Sequence, residues 1–500
     1  MSDISPHGWE KVKLSDICHV ELGQSPPSSS YNEVGDGLPF FQGKAEFTKL
    51  FPIARKWCAF PRKIAHEKDI LLSVRAPVGP TNLASAQCCI GRGLAALSPY
   101  CGVENRFVLY ALRLFQNNLD RLGTGTTFKA VSGGVVRKFP CLLAPTNEQR
   151  RIVAKIEELF SELDAGVAAL ERVKANLKRY RASVLKSAVE GNLTEQWRAE
   201  HPDVEPASEL LKRILAARRK KWEGEQLAKY EAKGKKPPEN WKEKYKDPSS
   251  TDTSNLPELP YGWCWATVDL LGDTITGSTP SKNHPEYFGG KIPFVKPKDL
   301  NAGYYVKTAF DTLTKAGSTK ARLLPTRTIL VTCIGATIGK TGFSRMVCAT
   351  NQQINAFIPC KDFVCPEWIY WSFVSHLGQT QIKSKASATT LPILNKGKFN
   401  QLAFPLCPLE EQKEIIKEIE IKFSIANQIG TELEINLLRS VRLRQAILKR
   451  AFEGKLVPQD PNDEPTGILL ERIKADREKA EKENQQLKTK LRRKRINHVN

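Results

Sequence analysis

A chain of 500 residues with a 41% apolar composition is too long for a single compact core and should fold as about two to four domains. Its 76 Lys and Arg against 54 Asp and Glu give a formal charge of +22, which favours a polyanionic partner. No run of about 18 apolar residues occurs, and Met1–Trp9 lacks a basic start followed by an apolar stretch, so neither a membrane span nor a secretory signal is expected.

The chain repeats itself. Gly8-Trp9, Gly23 to Pro26 and Pro39-Phe40 return as Gly262-Trp263, Gly277 to Pro280 and Pro293-Phe294, each 254 residues later. Ile70-Leu-Leu-Ser-Val resembles Ile329-Leu-Val-Thr-Cys, each followed by a glycine, Gly79 or Gly339. Thr126-Thr127, Glu148-Gln149 and Ala188-Val-Glu-Gly-Asn-Leu193 return at an offset of 263 as Thr389-Thr390, Glu411-Gln412 and Ala451-Phe-Glu-Gly-Lys-Leu456. Glu205-Pro206 with Leu210-Leu211 then matches Glu464-Pro465 with Leu469-Leu470. A shared order over this length marks an internal duplication.

Residues 10–140 and 264–400 are rich in Gly, Pro, Thr and aromatics. Short β-prone runs at Ile70–Val74 and Ile329–Cys333, with helix-like pieces at Arg106–Phe115 and Pro366–Val374, predict a compact α+β fold in each copy. The period then changes. Ile152, Ile156, Leu159, Leu163, Val167, Leu170, Val173, Leu177, Tyr180 and Val184 form one stripe at helical spacing, repeated by Ile415, Ile419, Phe423, Ala426, Ile429, Leu433, Leu437, Val441, Leu448 and Phe452. Pro145 and Pro408 precede these helices, and Gly191 and Gly454 suit their stops. Each would hold about 40 residues and extend about 60 Å. A helix that long and amphipathic needs a partner, and its own duplicate is the nearest candidate.

The expected organisation is a first globular domain at 1–145, a long helix at 146–192 and a helical or flexible connector at 193–257. A second globular domain at 258–407, a long helix at 408–455 and a charged helical tail at 456–500 follow. Within the connector, Arg218-Arg-Lys-Lys-Trp222 opens a short charged helix, Lys235-Lys-Pro-Pro238 bends it, and Ser249–Ser254 is a polar linker. The tail ends in Arg492-Arg-Lys-Arg495, which would touch DNA or a partner, or simply be solvated.

Catalytic signatures fail on inspection. Gly335-Ala-Thr-Ile-Gly339-Lys340-Thr341 imitates a phosphate-binding loop, but Ile334 stands where the spacing demands glycine. No Asn-Pro-Pro-Tyr or Asn-Pro-Pro-Phe occurs, and Pro202-Asp203 has no acidic-x-lysine partner. Seven histidines, among them His19, His66, His284 and His376, show no metal-ligand spacing. The twelve cysteines lack a C-x-x-C pair, which fits reduced thiols in a cytoplasmic protein. No catalytic, cofactor or metal residues are assigned.

The whole pattern resembles the specificity subunit of type I restriction–modification systems. The resemblance lies in Gly262-Trp263 after Leu259-Pro260, in Ile292-Pro-Phe-Val-Lys-Pro-Lys-Asp-Leu300, and in the Gly123-Thr-Gly-Thr-Thr-Phe-Lys129 loop. Pro145-Thr-Asn-Glu-Gln149 and Pro408-Leu-Glu-Glu-Gln412 match its helix-opening motif, and Ala451–Leu456 its helix-closing one. His7 departs from the commoner proline before Gly8-Trp9. The resemblance implies two target-recognition domains reading the halves of an asymmetric bipartite DNA site, with the long helices forming an antiparallel coiled coil between them. It also implies no catalysis by this chain. Two modification subunits using S-adenosylmethionine and two ATP- and Mg2+-dependent restriction subunits would be its partners. A coiled-coil scaffold for two peptide-binding domains, a nucleic-acid-processing enzyme and a standalone transcriptional regulator are the alternatives.

For DNA, basic residues should place phosphates while a few polar side chains read base edges. Lys44 and Lys298 follow matching Pro-Phe pairs, Gln42 corresponds to Lys296, and Arg75 precedes a turn whose counterpart leads to Lys340. Thr126, Thr127 and Lys129, with Thr389 and Thr390, occupy loops suited to close backbone approach. These eleven residues are the candidate DNA-binding positions.

Overall fold

A computed structural model describes residues 6–125, 129–248, 256–301, 304–360, 362–387 and 391–479. It falls into two compact units, Met1–Glu171 with Glu434–Asn500, and Arg172–Leu433. No described helix is long and apolar enough to cross a membrane.

The first unit is built on the run that reads Ile-Leu-Leu-Ser. All four residues of the Ile70–Ser73 strand are buried, which places it inside the sheet order Cys18–Leu22, Leu94–Pro99, Ile70–Ser73, Thr81–Leu83. A second sheet pairs Leu38–Phe41 in parallel with Cys88–Ile90. The helix Asn105–Leu114 buries Phe107 through Leu112 against the first sheet. The second unit repeats this order as Gly272–Thr276, Ile354–Pro359, Ile329–Thr332 and Thr341–Ser344, and adds Tyr305–Val306 in parallel at the edge. Its second sheet pairs Phe288–Val295 in parallel with Cys348–Thr350, and Pro366–Val374 is the covering helix. Each copy is therefore an α+β domain.

The repeated glycines are explained by close approach. A Cβ on Gly23 would lie 2.1 Å from the Gly91 carbonyl oxygen, and one on Gly277 would lie 2.2 Å from that of Asn351. Gly8 and Gly262 adopt left-handed φ values of 77° and 84°, and the tryptophan after each donates its backbone N–H to Pro6 or Pro260 at 3.1 Å. His7 thus leaves the turn intact. Trp9 then meets Phe107 edge-on at 6.0 Å, as Trp263 meets Trp368 at 5.9 Å.

The two long helices run Thr146–Val189 and Leu409–Phe452. They form an antiparallel pair. In the first unit Ile152, Ile156 and Phe160 share a core with Ile447, Leu448, Ala451 and Phe452; in the second, Ile415 and Ile419 share one with Val184, Leu185, Ala188 and Val189. The middle of the stripe is covered unevenly: Ala426 and Leu433 are 1% and 6% exposed, whereas other members lie open. Val173, Tyr180, Ile429 and Val441 are 42%, 43%, 41% and 63% exposed.

The motif Glu-Gln fastens each helix start. Gln149 accepts from the Glu104 backbone N–H at 2.9 Å and donates to the Ala144 carbonyl at 2.7 Å. Gln412 does the same with Cys365 and Cys407, both at 2.9 Å. Each glutamine joins the strand before its long helix to the start of the covering helix of its α+β domain.

The connector and the tail also play matching parts. Helix Ala207–Glu231 buries Ala207, Leu210 and Ile214 in the second unit's core, and the helical residues 466–479 bury Leu469 and Ile473 in the first unit's core. The tail is charged on one side and anchored on the other. The linker Ser249–Ser254 and Arg492–Arg495 lie outside the described residues.

The neighbouring glutamates are buried in unlike surroundings. Glu411 accepts from Thr194 and Trp263, each at 2.7 Å, and pairs with Arg198. Arg151 near Glu148 pairs instead with Asp463, and burial raises the Glu148 carboxyl above the ordinary 4.5, tempered by the Trp9 indole, the Gln459 amide and the charge of Arg151. The folded state holds that proton more tightly than the unfolded chain does. Stability therefore falls as pH rises through 4.5, and the full cost is present once pH exceeds the raised folded value. Glu148→Gln is expected to match or exceed wild-type stability at pH 7, with any gain vanishing below pH 4.5. Glu411→Gln, which strands Arg198, is expected to cost about 3 kcal/mol. Denaturant unfolding at both pH values checks the pair.

Candidate nucleic-acid interface

In the first reader, the Leu38–Phe41 strand ends at Gln42 and passes into the short helix Lys44–Glu46, whose Glu46 accepts from the Gly43 N–H at 3.3 Å. The strand Ile70–Ser73 delivers Arg75, and the Ser73 hydroxyl donates to the Arg75 and Pro77 carbonyls at 3.1 and 2.9 Å. Gln42, Lys44 and Arg75 thereby line one open cleft with Ser25, Tyr31 and Arg92. Glycine makes this possible, because a Cβ on Gly93 would lie 2.1 Å from the Gln42 carbonyl oxygen.

The turn after the central strand meets the glycine-rich loop. Arg75 bridges Ala130, which also bridges Thr124, and the Ala76 N–H donates to the Lys129 carbonyl at 2.9 Å. The Lys129 ammonium, however, pairs with Asp120 at 3.1 Å. The second reader repeats this frame, with Ile334 and Ser387 both bridging Ile393. Thr126, Thr127, Thr389 and Thr390 lie outside the described residues.

The turn at 334–340 joins the antiparallel strands Ile329–Thr332 and Thr341–Ser344. A phosphate-binding loop instead leads from a strand into a helix. The resemblance to one is therefore only local, and Lys340 belongs to a hairpin whose Ile334 and Gly335 meet Ile393 and Pro392.

The remaining lysines are held together. Lys296 and Lys298 pair with the same carboxylate, Asp311, at 2.8 and 3.3 Å. The hydrogen bond from Lys296, followed by that from Lys298, keeps the Asp311 carboxyl below its ordinary value. Lys298 also sits 3.9 Å over the ring of Phe310, which is 83% exposed. Lys296 and Lys298 flank the same short turn as their counterparts, with the Lys296 N–H donating to Asp299 at 2.8 Å.

Arg92 was missed in the sequence. Its backbone N–H donates to Ser25 at 3.3 Å, and at the matching place Thr279 donates to Gln352 at 2.6 Å. The signal available was an arginine between two glycines, Gly91 and Gly93.

Two copies of one domain, each with a cationic rim on loops of matching backbone, define a duplicated nucleic-acid-binding protein. The chain belongs to the type I restriction modification DNA specificity domain family, whose model matches residues 6–172 and 264–436. It is a specificity subunit with two target-recognition domains, and its work is DNA sequence recognition.

Among its relatives, the putative type I restriction enzyme MjaX specificity subunit of Methanocaldococcus jannaschii is 38% identical over 177 residues, 35% of this chain and 42% of the relative. The EcoDI specificity subunit of Escherichia coli is 23% identical, covering 94% of this chain and 96% of the relative. The fold is also shared with a solved chain from work on assembly and conformational transition of the type I R-M system. That match covers 90% of this chain and 99% of the other at a TM-score of 0.60 and 18% identity.

Arg75→Ala and Arg92→Ala are each expected to weaken duplex binding about tenfold. If either arginine reaches a phosphate, its loss also makes the salt dependence shallower by about one. Lys296→Ala should do less, because Lys298 remains on Asp311. Titrations of the assembled complex with labelled duplex at several salt concentrations test all three.

Proposed function

We propose that this chain reads an asymmetric bipartite DNA site and brings partner methyltransferase and ATP-dependent endonuclease subunits to it without catalysing either reaction. One observation carries the asymmetry: matching backbone positions hold unlike side chains. Gln42 corresponds to Lys296, Arg75 to Ile334, and Arg92 to Gln352, as the matching bridges and hydrogen bonds support. Major-groove base edges differ in donors and acceptors, so exchanging an amide for an ammonium, or a guanidinium for an alkyl group, changes which base is favoured. Gln42, Lys44, Arg75, Lys129, Lys296, Lys298 and Lys340 remain the proposed DNA-facing positions, and Thr126, Thr127, Thr389 and Thr390, which lie outside the described residues, complete the proposed set.

The antiparallel helices act as a ruler between the readers. Half-sites on one face of a duplex recur about every helical turn, roughly 34–36 Å, and a paired helix fixes such a distance where a flexible linker does not. The exposed apolar residues on the second long helix support partner docking. Ile421, Ile425 and Ile429 recur every four residues on one face and are 47%, 53% and 41% exposed. Two modification subunits bind the helix pair in this reading, and S-adenosylmethionine, ATP and Mg2+ belong to the partners.

Selection from a random duplex library by the assembled complex is expected to return one split motif with a constant gap; the absence of an enriched motif refutes the proposal. Inserting seven residues into both long helices should lengthen the gap by about three base pairs with both half-sites unchanged. Ile425→Glu should abolish co-purification of the modification subunit while leaving the circular dichroism of this chain unaltered.

A further inference from the structure

A cluster of aromatic and charged groups occurs once in each unit, but its charges differ between them. In the first, Tyr110 meets Phe160 edge-on at 5.7 Å, Arg444 lies 4.6 Å over the Phe160 ring, and Arg444 is ion-paired with Asp164. In the second, Trp371 meets Phe423 at 5.1 Å, Arg181 lies 6.0 Å over that ring, and Arg181 donates to Asn427 at 2.7 Å. Phe160, Asp164 and Arg181 correspond to Phe423, Asn427 and Arg444 at the offset of 263. In both units the arginine comes from the opposite long helix. One stack therefore joins the reader's covering helix, the helix leaving that reader, and the helix arriving from the other.

The two stacks rest on different forces. Trp371 is 6% exposed and packs at 4.6 Å on Tyr304 and 4.8 Å on Tyr370, so aromatic contact braces the second reader. In the first reader, Asp164 collects two cations, Arg444 and Lys49. Lys49 lies a few residues beyond Lys44, and its carbonyl accepts from Arg113 at 2.7 Å. The carboxylate thus reaches from the helix pair to the loop that follows the cationic cleft. Asp164 and Arg444 are each 31% exposed, and a charge-assisted hydrogen bond is roughly twice as strong as a neutral one.

We propose that Arg444 with Asp164, and Arg181 with Asn427, are positioning residues that hold each reader at a set angle on the helix pair and so decide how strictly the gap between half-sites is enforced. The inference rests on the bipartite reading above. A tilt that displaces a reading loop by about 3.4 Å shifts it by one base pair, so small angular play becomes tolerance in the gap. The first reader depends on its ion pair, and the second on its aromatic packing.

The test is library selection and methylation kinetics with the assembled complex. Wild type is expected to return a single gap. Arg444→Leu should add gaps one base pair shorter and longer, with both half-site sequences unchanged. It should also raise KM for the native-gap duplex about fivefold, with kcat within about twofold. Arg181→Leu should spread the gap less. Combining Asp164→Arg with Arg444→Asp should narrow the spread relative to Arg444→Asp alone. Should Arg444→Leu fail to assemble, the isosteric Asp164→Asn carries the test, with an intermediate spread expected. A single unchanged gap in Asp164→Asn, or in an assembled Arg444→Leu complex, overturns the proposal, as do altered half-site sequences. A wild-type complex with no fixed gap would instead overturn the bipartite reading.

Discussion

Everything in each unit hangs on a buried glutamine at the start of a long helix. Gln149 and Gln412 are both fully buried, and each uses its amide to accept from one element and donate to another. An unsatisfied buried amide is costly, so this geometry is held in place by the expense of breaking it. Within each unit, the strand before the long helix, the start of the covering helix and the first turn of the long helix are tied at one point.

The duplication was legible because it is enforced by contacts that tolerate few residues. Gly23 and Gly277 recur because a carbonyl occupies the place of a side chain, and Gly8 and Gly262 because their φ values are positive. The strands at Ile70–Ser73 and Ile329–Thr332 were readable from their short β-prone runs, which fits their complete burial. Strand order was not readable, since pairings such as Phe40 with Cys89 bring together residues far apart in sequence and leave no local pattern. The long helices were predicted almost to their ends, yet periodicity alone placed Val173 and Val441 in a sealed seam when they are exposed. A heptad-like stripe reports which face is apolar but not what covers it.

The candidate interface was legible in part. Lys44, Gln42 and Arg75 line one cleft although the strands before them, Leu38–Phe41 and Ile70–Ser73, belong to different sheets. Lys296 and Lys298 were named as candidate DNA-binding positions, and both pair with Asp311, a residue whose sequence position gives no hint of that role. Arg92 was overlooked because a single arginine in a turn looks solvated until its neighbours across the cleft are known. Local spacing identifies backbone requirements well and long-range charge pairing poorly.

The glycines around the cleft separate architecture from chemistry. The Gln42 carbonyl leaves no room for a side chain at Gly93, nor the Gly91 carbonyl at Gly23, so backbone groups fix this corner whatever side chains stand at 42, 75 or 92. Substitutions at those three surface points alter chemistry without disturbing the fold that presents them. On the proposed DNA-reading role of these positions, inheritance retunes the preferred target in single mutational steps, and descendants of one ancestor drift apart in recognition while keeping the same backbone at this corner.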